Sequence, residues 1–175
     1  MKGENPSRFA FFPALIASPV IQAAIADEAS RRGISTDAAR QQAQRFLQEI
    51  AARYSPATMR FAARCFSWLW PRLYDAIEVY RFERCTRLAP EARIVHIPAH
   101  RSHLDYLLLS SLLYEKGQTV PLVAAGINLN LPLVGALLRR CGAFFMRRSF
   151  KGEALYSAVF SEYLHLLQQQ GTVLE

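Results

Sequence analysis

Residues 120–148 read VPLVAAGINLNLPLVGALLRRCGAFFMRR, and this stretch decides the fold. It holds two short segments, Val120–Ala125 and Ala143–Arg148, that are apolar except for the two arginines at the end of the second. Pro132 and Gly142 mark the ends of the segment between them. Short apolar runs bounded by turn residues are typical of buried strands, while Pro and Gly are favoured at the start and end of a helix. The stretch therefore predicts a strand–helix–strand unit, the building block of a parallel sheet.

The same alternation continues on both sides of this unit. Before it, Arg93–Pro98 predicts a short buried strand, followed by a helix from about Leu104 to Glu115. After it, a helix from about Glu153 to Gln170 leads to a fourth strand at Thr172–Glu175. Because strands alternate with helices, the predicted fold class is α/β. We expect an α/β domain over residues 89–175 that is incomplete, because the chain ends within the alternation of strands and helices.

Residues 1–88 carry helical signals and predict an N-terminal helical lobe. A helix over Ala23–Arg32 ends at Gly33, and Ser35 or Thr36 caps a second helix over Asp37–Tyr54. A third helix begins at Ser55-Pro56, since Pro is favoured at the first helical position.

The third helix is unusually rich in aromatic residues, and Pro71 should kink or break it. Aromatic side chains at this spacing more often form core, although Trp and Tyr also favour membrane interfaces. The run contains Phe61, Phe66, Trp68, Trp70, Tyr74, Tyr80 and Phe82.

The net charge of +7 in 175 residues suits phosphate-bearing ligands, anionic lipid head groups or nucleic acid. We expect no nucleic-acid partner, because the sequence has neither a recognition helix nor an aromatic-studded sheet motif. The doublet Arg139-Arg140 predicts a solvated or lipid-facing basic edge. The scattered Cys65, Cys85 and Cys141 predict buried, reduced thiols and no metal site.

Two uncharged stretches, residues 9–26 and 118–138, are long enough to raise the question of a membrane span. Proline and polar residues interrupt both of them, so neither predicts a spanning helix. Shallow membrane contact fits either stretch.

The segment HRSHLD, from His100 to Asp105, lies where a predicted strand turns into a helix. Ligands of open α/β sheets bind beyond the carboxyl ends of strands. An imidazole that a carboxylate orients can take a proton from a hydroxyl group. The spacing alone leaves two alternatives open: Asp105 caps the helix beside a surface histidine, or His103 is the base.

Arg147 and Arg148 follow the last apolar run. Successive strand residues point to opposite faces, so only one of the two can enter a given pocket. Arginine binds phosphate bidentately, which makes that residue a candidate phosphate contact. A solvated basic strand end is the alternative.

Three segments together resemble the bacterial glycerol-3-phosphate acyltransferases, within the wider superfamily that shares an HX4D motif. They are HRSHLDYLLLSSLLY (100–114), AAGINLNLP (124–132) and GAFFMRRSFKGEALYSAVFSEYL (142–164). The resemblance covers about residues 25–175. It implies transfer of a fatty acyl group from acyl-CoA or acyl carrier protein to the sn-1 hydroxyl of glycerol 3-phosphate, with no further cofactor and no metal.

The resemblance also implies residue roles and a location. His100 corresponds to the general base and Asp105 to the residue that orients it. Phe145, Met146 and Arg148 match positions associated with glycerol 3-phosphate, and Met146 stands where the family commonly has Ile. The expected location is the cytoplasmic face of the bacterial inner membrane, in peripheral or monotopic contact with the phospholipid surface.

The family's next block, of the type Glu-Gly-Gly-Arg-Ser, would be expected beyond Glu175. We therefore expect the chain to be an N-terminal and central fragment without useful turnover of its own. Two alternatives stay open. One is a related acyltransferase with another acceptor, such as dihydroxyacetone phosphate. The other is a non-catalytic membrane-surface binding module, in which loss of His100 or Asp105 would be expected.

Overall fold

The computed structural model of the chain describes residues 12–80, 82, 94–97 and 105–169. The helices in these ranges are α1 (Phe12–Ala17), α2 (Pro19–Arg32), α3 (Thr36–Ile50), α4 (Pro56–Leu73), α5 (Asp105–Glu115), α6 (Val134–Arg140) and α7 (Ala154–Gln169). The strands are β1 (Val123–Gly126) and β2 (Ala143–Met146), and a single 3-10 turn, Ile127–Leu129, follows β1.

The helix ends of the N-terminal lobe follow the predicted signals. Gly33 ends α2 in the left-handed conformation, with φ of 63°. The Ser35 hydroxyl accepts a hydrogen bond from the Ala38 N–H at 3.1 Å, and Ser55 caps α4 in the same way. These caps confirm the predicted starts of α3 and α4. Helix α2 begins earlier than predicted, at Pro19.

Helix α3 ends at Ile50, four residues before the predicted end at Tyr54. The reason is a competing set of backbone hydrogen bonds. Arg53 and Ser55 donate their N–H groups to the carbonyls of Arg139 and Arg140, at 2.9 and 2.8 Å. The chain after Ile50 is therefore held against the end of α6 instead of continuing the helix.

One hydrophobic core joins the helical lobe to the later part of the chain. Helix α7 packs against α1, α2 and α3, and Phe144 of β2 lies in the same cluster. The fully buried members include Leu15, Ile21, Ile25, Ile50, Leu155, Tyr156, Val159 and Tyr163. The sheet is thus fixed from one side by helices that come from both ends of the sequence. The predicted boundary at residues 88–89 lies outside the described residues and stays a prediction.

Strands β1 and β2 are parallel, with Val123 opposite Ala143 and Gly126 opposite Met146. Helix α6 connects them, which confirms the predicted strand–helix–strand unit and the α/β fold class. Helix α6 begins at Val134 instead of Pro132, since Leu133 has φ of 66° and cannot be helical. Strand β2 ends at Met146, two residues early, because the Arg147 N–H donates to the Tyr156 hydroxyl at 3.2 Å.

The expected aromatic core of α4 is largely wrong. Helix α4 packs on α5 and α6 through the stripe Met59, Ala63 and Trp70, and Trp70 donates its indole N–H to the Ser111 hydroxyl at 2.8 Å. Phe61 and Trp68 lie off that stripe and are 67% and 60% exposed. A helix with one packed face can bury only one face of an aromatic run.

Further differences concern α4, the first predicted strand and the cysteines. Helix α4 continues two residues past Pro71. The prediction of a buried strand before α5 is wrong for Val95 and Ile97, which are exposed. Cys65 is also exposed, against prediction, and Cys141 is half-buried. The fourth strand and Cys85 lie outside the described residues.

Among the helices of the described ranges, none is long and apolar enough to cross a membrane.

Candidate active site

A cavity of about 390 Å³ lies beside the sheet, between α4, α5, β1 and α6. Most of its wall is apolar. The apolar part consists of Met59, Ala62, Phe66, Leu107, Val123, Ala124, Ala125, Leu129, Leu137, Leu138 and Ala143. Such a space suits an apolar group, with polar side chains needed only at its edge.

Both parallel strands deliver a polar side chain to this cavity just past their carboxyl ends. Gly126 and Met146 are paired as the last residues of the two strands. Asn128 and Arg148 each come two residues after one of these strand ends, and both line the cavity. This is the position where α/β sheets bind ligands. Sequence reasoning missed Asn128; the signal for it is its position directly after a buried strand.

Arg147 and Arg148 point to different surroundings, as the alternation of strand residues predicts. The Arg147 guanidinium pairs with Glu49 and Glu153 and lies over the rings of Phe46 and Tyr156. Hydrogen bonding to Glu49 raises its pKa above the ordinary arginine value. Arg148 is exposed at the cavity, and among the described residues no carboxylate pairs with it. Arg147 therefore holds the fold, and Arg148 is the arginine that a ligand in the cavity can reach.

The other two residues predicted near Arg148 do not line the cavity. Phe145 is fully buried, and the Arg139 guanidinium carbon lies 4.5 Å from its ring centroid. Met146 is half-buried and packs against the large core. The structure thus brings only Arg148 of the three to the cavity wall. The predicted role of all three toward glycerol 3-phosphate stays a prediction.

Asp105 begins α5 and is half-buried. Its carboxylate lies in the first turn, where the helix dipole favours negative charge. The next two residues, Tyr106 and Leu107, line the cavity. His100 and His103 lie outside the described residues, so the pairing of a histidine with Asp105 also stays a prediction.

Two further side chains of the cavity wall, Ser110 and Cys141, were not singled out from the sequence as site residues. Burial raises the pKa of the Cys141 thiol, which keeps it protonated. Among the described residues, no three His, Cys, Asp or Glu side chains lie together as a possible metal site.

Arg139 corrects another expectation from the sequence. It was predicted on a solvated or lipid-facing basic edge, but it is buried. Its guanidinium donates to the carbonyl of Ala51 at 2.7 Å and to that of Glu49. Desolvation lowers its pKa, and the nearby charge of Arg53 lowers it further. Arg139 thus joins the end of α3 to α6, and only Arg140 of the doublet is exposed.

A family model described as "Acyltransferase" matches residues 76–175, more than half of the chain. The chain belongs to the acyltransferase family. This match includes α5, both strands and the cavity edge that carries Arg148.

The chain is also similar to part of much longer acyltransferases. Over 161 residues it is 51% identical to a Pseudomonas putida protein named glycerol-3-phosphate acyltransferase, covering 92% of this chain and 19% of that protein. A protein of the same name from Ectopseudomonas mendocina is 50% identical, over 92% of this chain and 20% of that protein. The chain spans about a fifth of the length of these relatives.

Proposed function

We propose that the chain is the part of a glycerol-3-phosphate 1-O-acyltransferase that carries the general base and one phosphate contact. The observation that carries this proposal is an identity of about one half, over 92% of the chain, to proteins named for that activity. The arrangement of the cavity supports it. An exposed arginine lies at the edge of a mostly apolar space, which fits a phosphate-bearing acceptor next to a fatty acyl donor.

The proposed reaction joins the acceptor hydroxyl to the acyl carbonyl. His100 takes the proton from the sn-1 hydroxyl of glycerol 3-phosphate, and the oxygen attacks the thioester carbonyl of acyl-CoA or acyl carrier protein. The C–S bond then breaks, and the thiolate leaves with the proton that the imidazolium returns. Asp105 orients the imidazole and stabilises its charged form. No further cofactor takes part.

Arg148 has a positioning task in this reaction. Its guanidinium binds the phosphate of glycerol 3-phosphate, so that the hydroxyl group at the far end of the acceptor reaches the carbonyl. Holding two reactants in place removes several kcal/mol from a bimolecular barrier. We place the reaction at the cytoplasmic face of the inner membrane, where the product joins the phospholipid surface.

The test is an acyl-transfer assay on the full-length gene product that contains this chain. With labelled glycerol 3-phosphate and palmitoyl-CoA or palmitoyl-acyl carrier protein, we expect label in the organic phase as 1-acylglycerol 3-phosphate. His100→Ala should abolish this product, and an unlabelled dihydroxyacetone phosphate competitor should have little effect. Preferred acylation of dihydroxyacetone phosphate would show that the acceptor is wrong. Near-normal activity of His100→Ala would show that the base is wrong.

A further inference from the structure

A second cavity, of about 430 Å³, lies along α6 and the segment before it, residues 130–133. Its lining combines basic and apolar side chains. They are Arg53, Asn130, Leu131, Pro132, Leu133, Ala136, Arg139 and Arg140. We call the wall of this cavity the α6 surface.

The positive charge of the α6 surface is not neutralised within the part of the chain that the structure describes. Arg139 is occupied by the carbonyls of Glu49 and Ala51. Arg53 and Arg140 are exposed, and no described carboxylate forms an ion pair with either. Repulsion from Arg53 contributes to the lowered pKa of Arg139. An anion in this cavity would relieve that repulsion.

Backbone hydrogen bonds join the segment that carries Arg53 to the end of α6, which carries Arg140. The Arg53 N–H donates to the Arg139 carbonyl at 2.9 Å, and the Ser55 N–H donates to the Arg140 carbonyl at 2.8 Å. The Arg139 side chain also holds this segment, because it donates a hydrogen bond to the Ala51 carbonyl. The backbone therefore brings Arg53 and Arg140 to the wall of the same cavity before any ligand arrives, and their charge favours binding of an anion there.

The apolar part of the α6 surface protrudes into solvent. Leu133 is 87% exposed and Leu131 is 56% exposed. Leu133 also has a positive φ of 66°, a backbone conformation that is uncommon for a large side chain. Two exposed leucines and two exposed arginines thus line the same cavity, an arrangement that isolated surface residues do not explain.

We propose that the α6 surface docks on a bilayer that contains anionic phospholipid. Leu131 and Leu133 enter the acyl boundary, and Arg53 and Arg140 bind head-group phosphates above it. A bilayer offers an anionic layer next to an apolar one, in the order in which this surface presents arginines and leucines. The inference deepens the proposed function, on which it rests for the need to reach a lipid surface.

The experiment measures binding of the full-length protein to sedimented vesicles of phosphatidylcholine with and without phosphatidylglycerol. We expect binding that requires phosphatidylglycerol and weakens as salt is raised. Arg53→Gln with Arg140→Gln should lower it about twenty-five-fold, at roughly fivefold for each basic residue. Leu133→Ser should lower it about tenfold by removing a buried leucine from the membrane. Leu133→Trp should keep or strengthen binding that still requires phosphatidylglycerol.

Matched controls lie on α2 and α3, away from the α6 surface. Arg40→Gln changes an exposed arginine ten residues before the end of α3, about 15 Å along that helix. Val20→Ser changes an apolar side chain that is 56% exposed on α2. Both controls should bind vesicles like the wild type. Equal binding of all variants, or no binding of the wild type to either vesicle, would overturn the proposal.

The outcome is independent of catalysis because vesicle binding needs no turnover. Arg53→Gln with Arg140→Gln should keep the wild-type rate with a short-chain, water-soluble acyl-CoA. A protein without acyltransferase activity that still binds vesicles through these residues would sink the proposed function and leave the docking surface in place.

Discussion

Glu49 and Arg147 form a two-point ion pair across the molecule. The Arg147 Nε lies 2.7 Å from Glu49 Oε1, and its Nη2 lies 2.8 Å from Oε2. Glu49 belongs to α3 of the helical lobe, whereas Arg147 directly follows β2. The backbone carbonyl of Glu49 also accepts a hydrogen bond from Arg139. One residue of the lobe thus fixes both the end of α6 and the strand end that carries Arg148.

Removing the charge of Glu49 should therefore destabilise the fold. Glu49→Gln keeps the size of the side chain but loses the bidentate pair, and we expect a loss of about 1–2 kcal/mol in the free energy of unfolding. This range allows for the partial exposure of both side chains. Urea denaturation measures it. Glu162→Gln is the control, because Glu162 has no ion pair among the described residues. Equal effects of the two changes would contradict the structural role of Glu49.

Substitutions of the neighbouring Arg147 and Arg148 should affect different properties, stability for the first and substrate binding for the second. In the full-length protein, Arg148→Ala should raise the KM for glycerol 3-phosphate at least tenfold, since one charge-assisted contact is worth about 1.5–3 kcal/mol. It should change the unfolding free energy little, because Arg148 is exposed. Arg147→Ala should do the reverse and lower stability by about 2 kcal/mol or more. Steady-state kinetics and urea denaturation on both variants check this. An unchanged KM for Arg148→Ala would move the phosphate contact elsewhere.

Local signals predicted much of the fold and one part of the site. Ser35, Gly33 and Ser55-Pro56 act through neighbours three or four residues away, so their effect can be read from the sequence. The divergence of Arg147 and Arg148 follows from strand geometry alone. These features need no knowledge of the rest of the chain.

Long-range partners account for what the sequence could not predict. Arg139 was expected on a solvated edge because its partners, the carbonyls of Glu49 and Ala51, are about ninety residues away in sequence. The end of α3 depends on the same distant contact. The exposure of Phe61 and Trp68 depends on which face of α4 meets α5 and α6. Periodicity identifies an apolar face but cannot show whether a partner covers it.

The Tyr163 hydroxyl should contribute to stability through a buried hydrogen bond. It accepts from the Ala52 N–H at 3.1 Å, at the point where the chain leaves α3. Tyr163→Phe keeps the ring in the core and leaves that N–H without this acceptor, so we expect a loss of about 1–3 kcal/mol. Thermal or urea unfolding measures it. Tyr74→Phe, at a partly exposed site, should change stability by less than about 0.5 kcal/mol. A neutral Tyr163→Phe would mean that another group replaces the hydroxyl.

Cys141 reports on the cavity beside the sheet. Its thiol lies in the cavity wall, and burial raises its pKa. The thiolate is the form that alkylating reagents attack, so a raised pKa delays reaction until higher pH. The pH of half-maximal alkylation by iodoacetamide should therefore lie above that of the same cysteine in the urea-unfolded chain. The exposed Cys65 serves as an internal control, and mass spectrometry of peptides assigns the label to each residue. If the cavity receives the acyl donor, palmitoyl-CoA should slow alkylation of Cys141 in the full-length protein and leave Cys65 unaffected. Equal protection of both cysteines would indicate a general effect of the detergent-like ligand, and no protection of Cys141 would show that the acyl chain binds elsewhere.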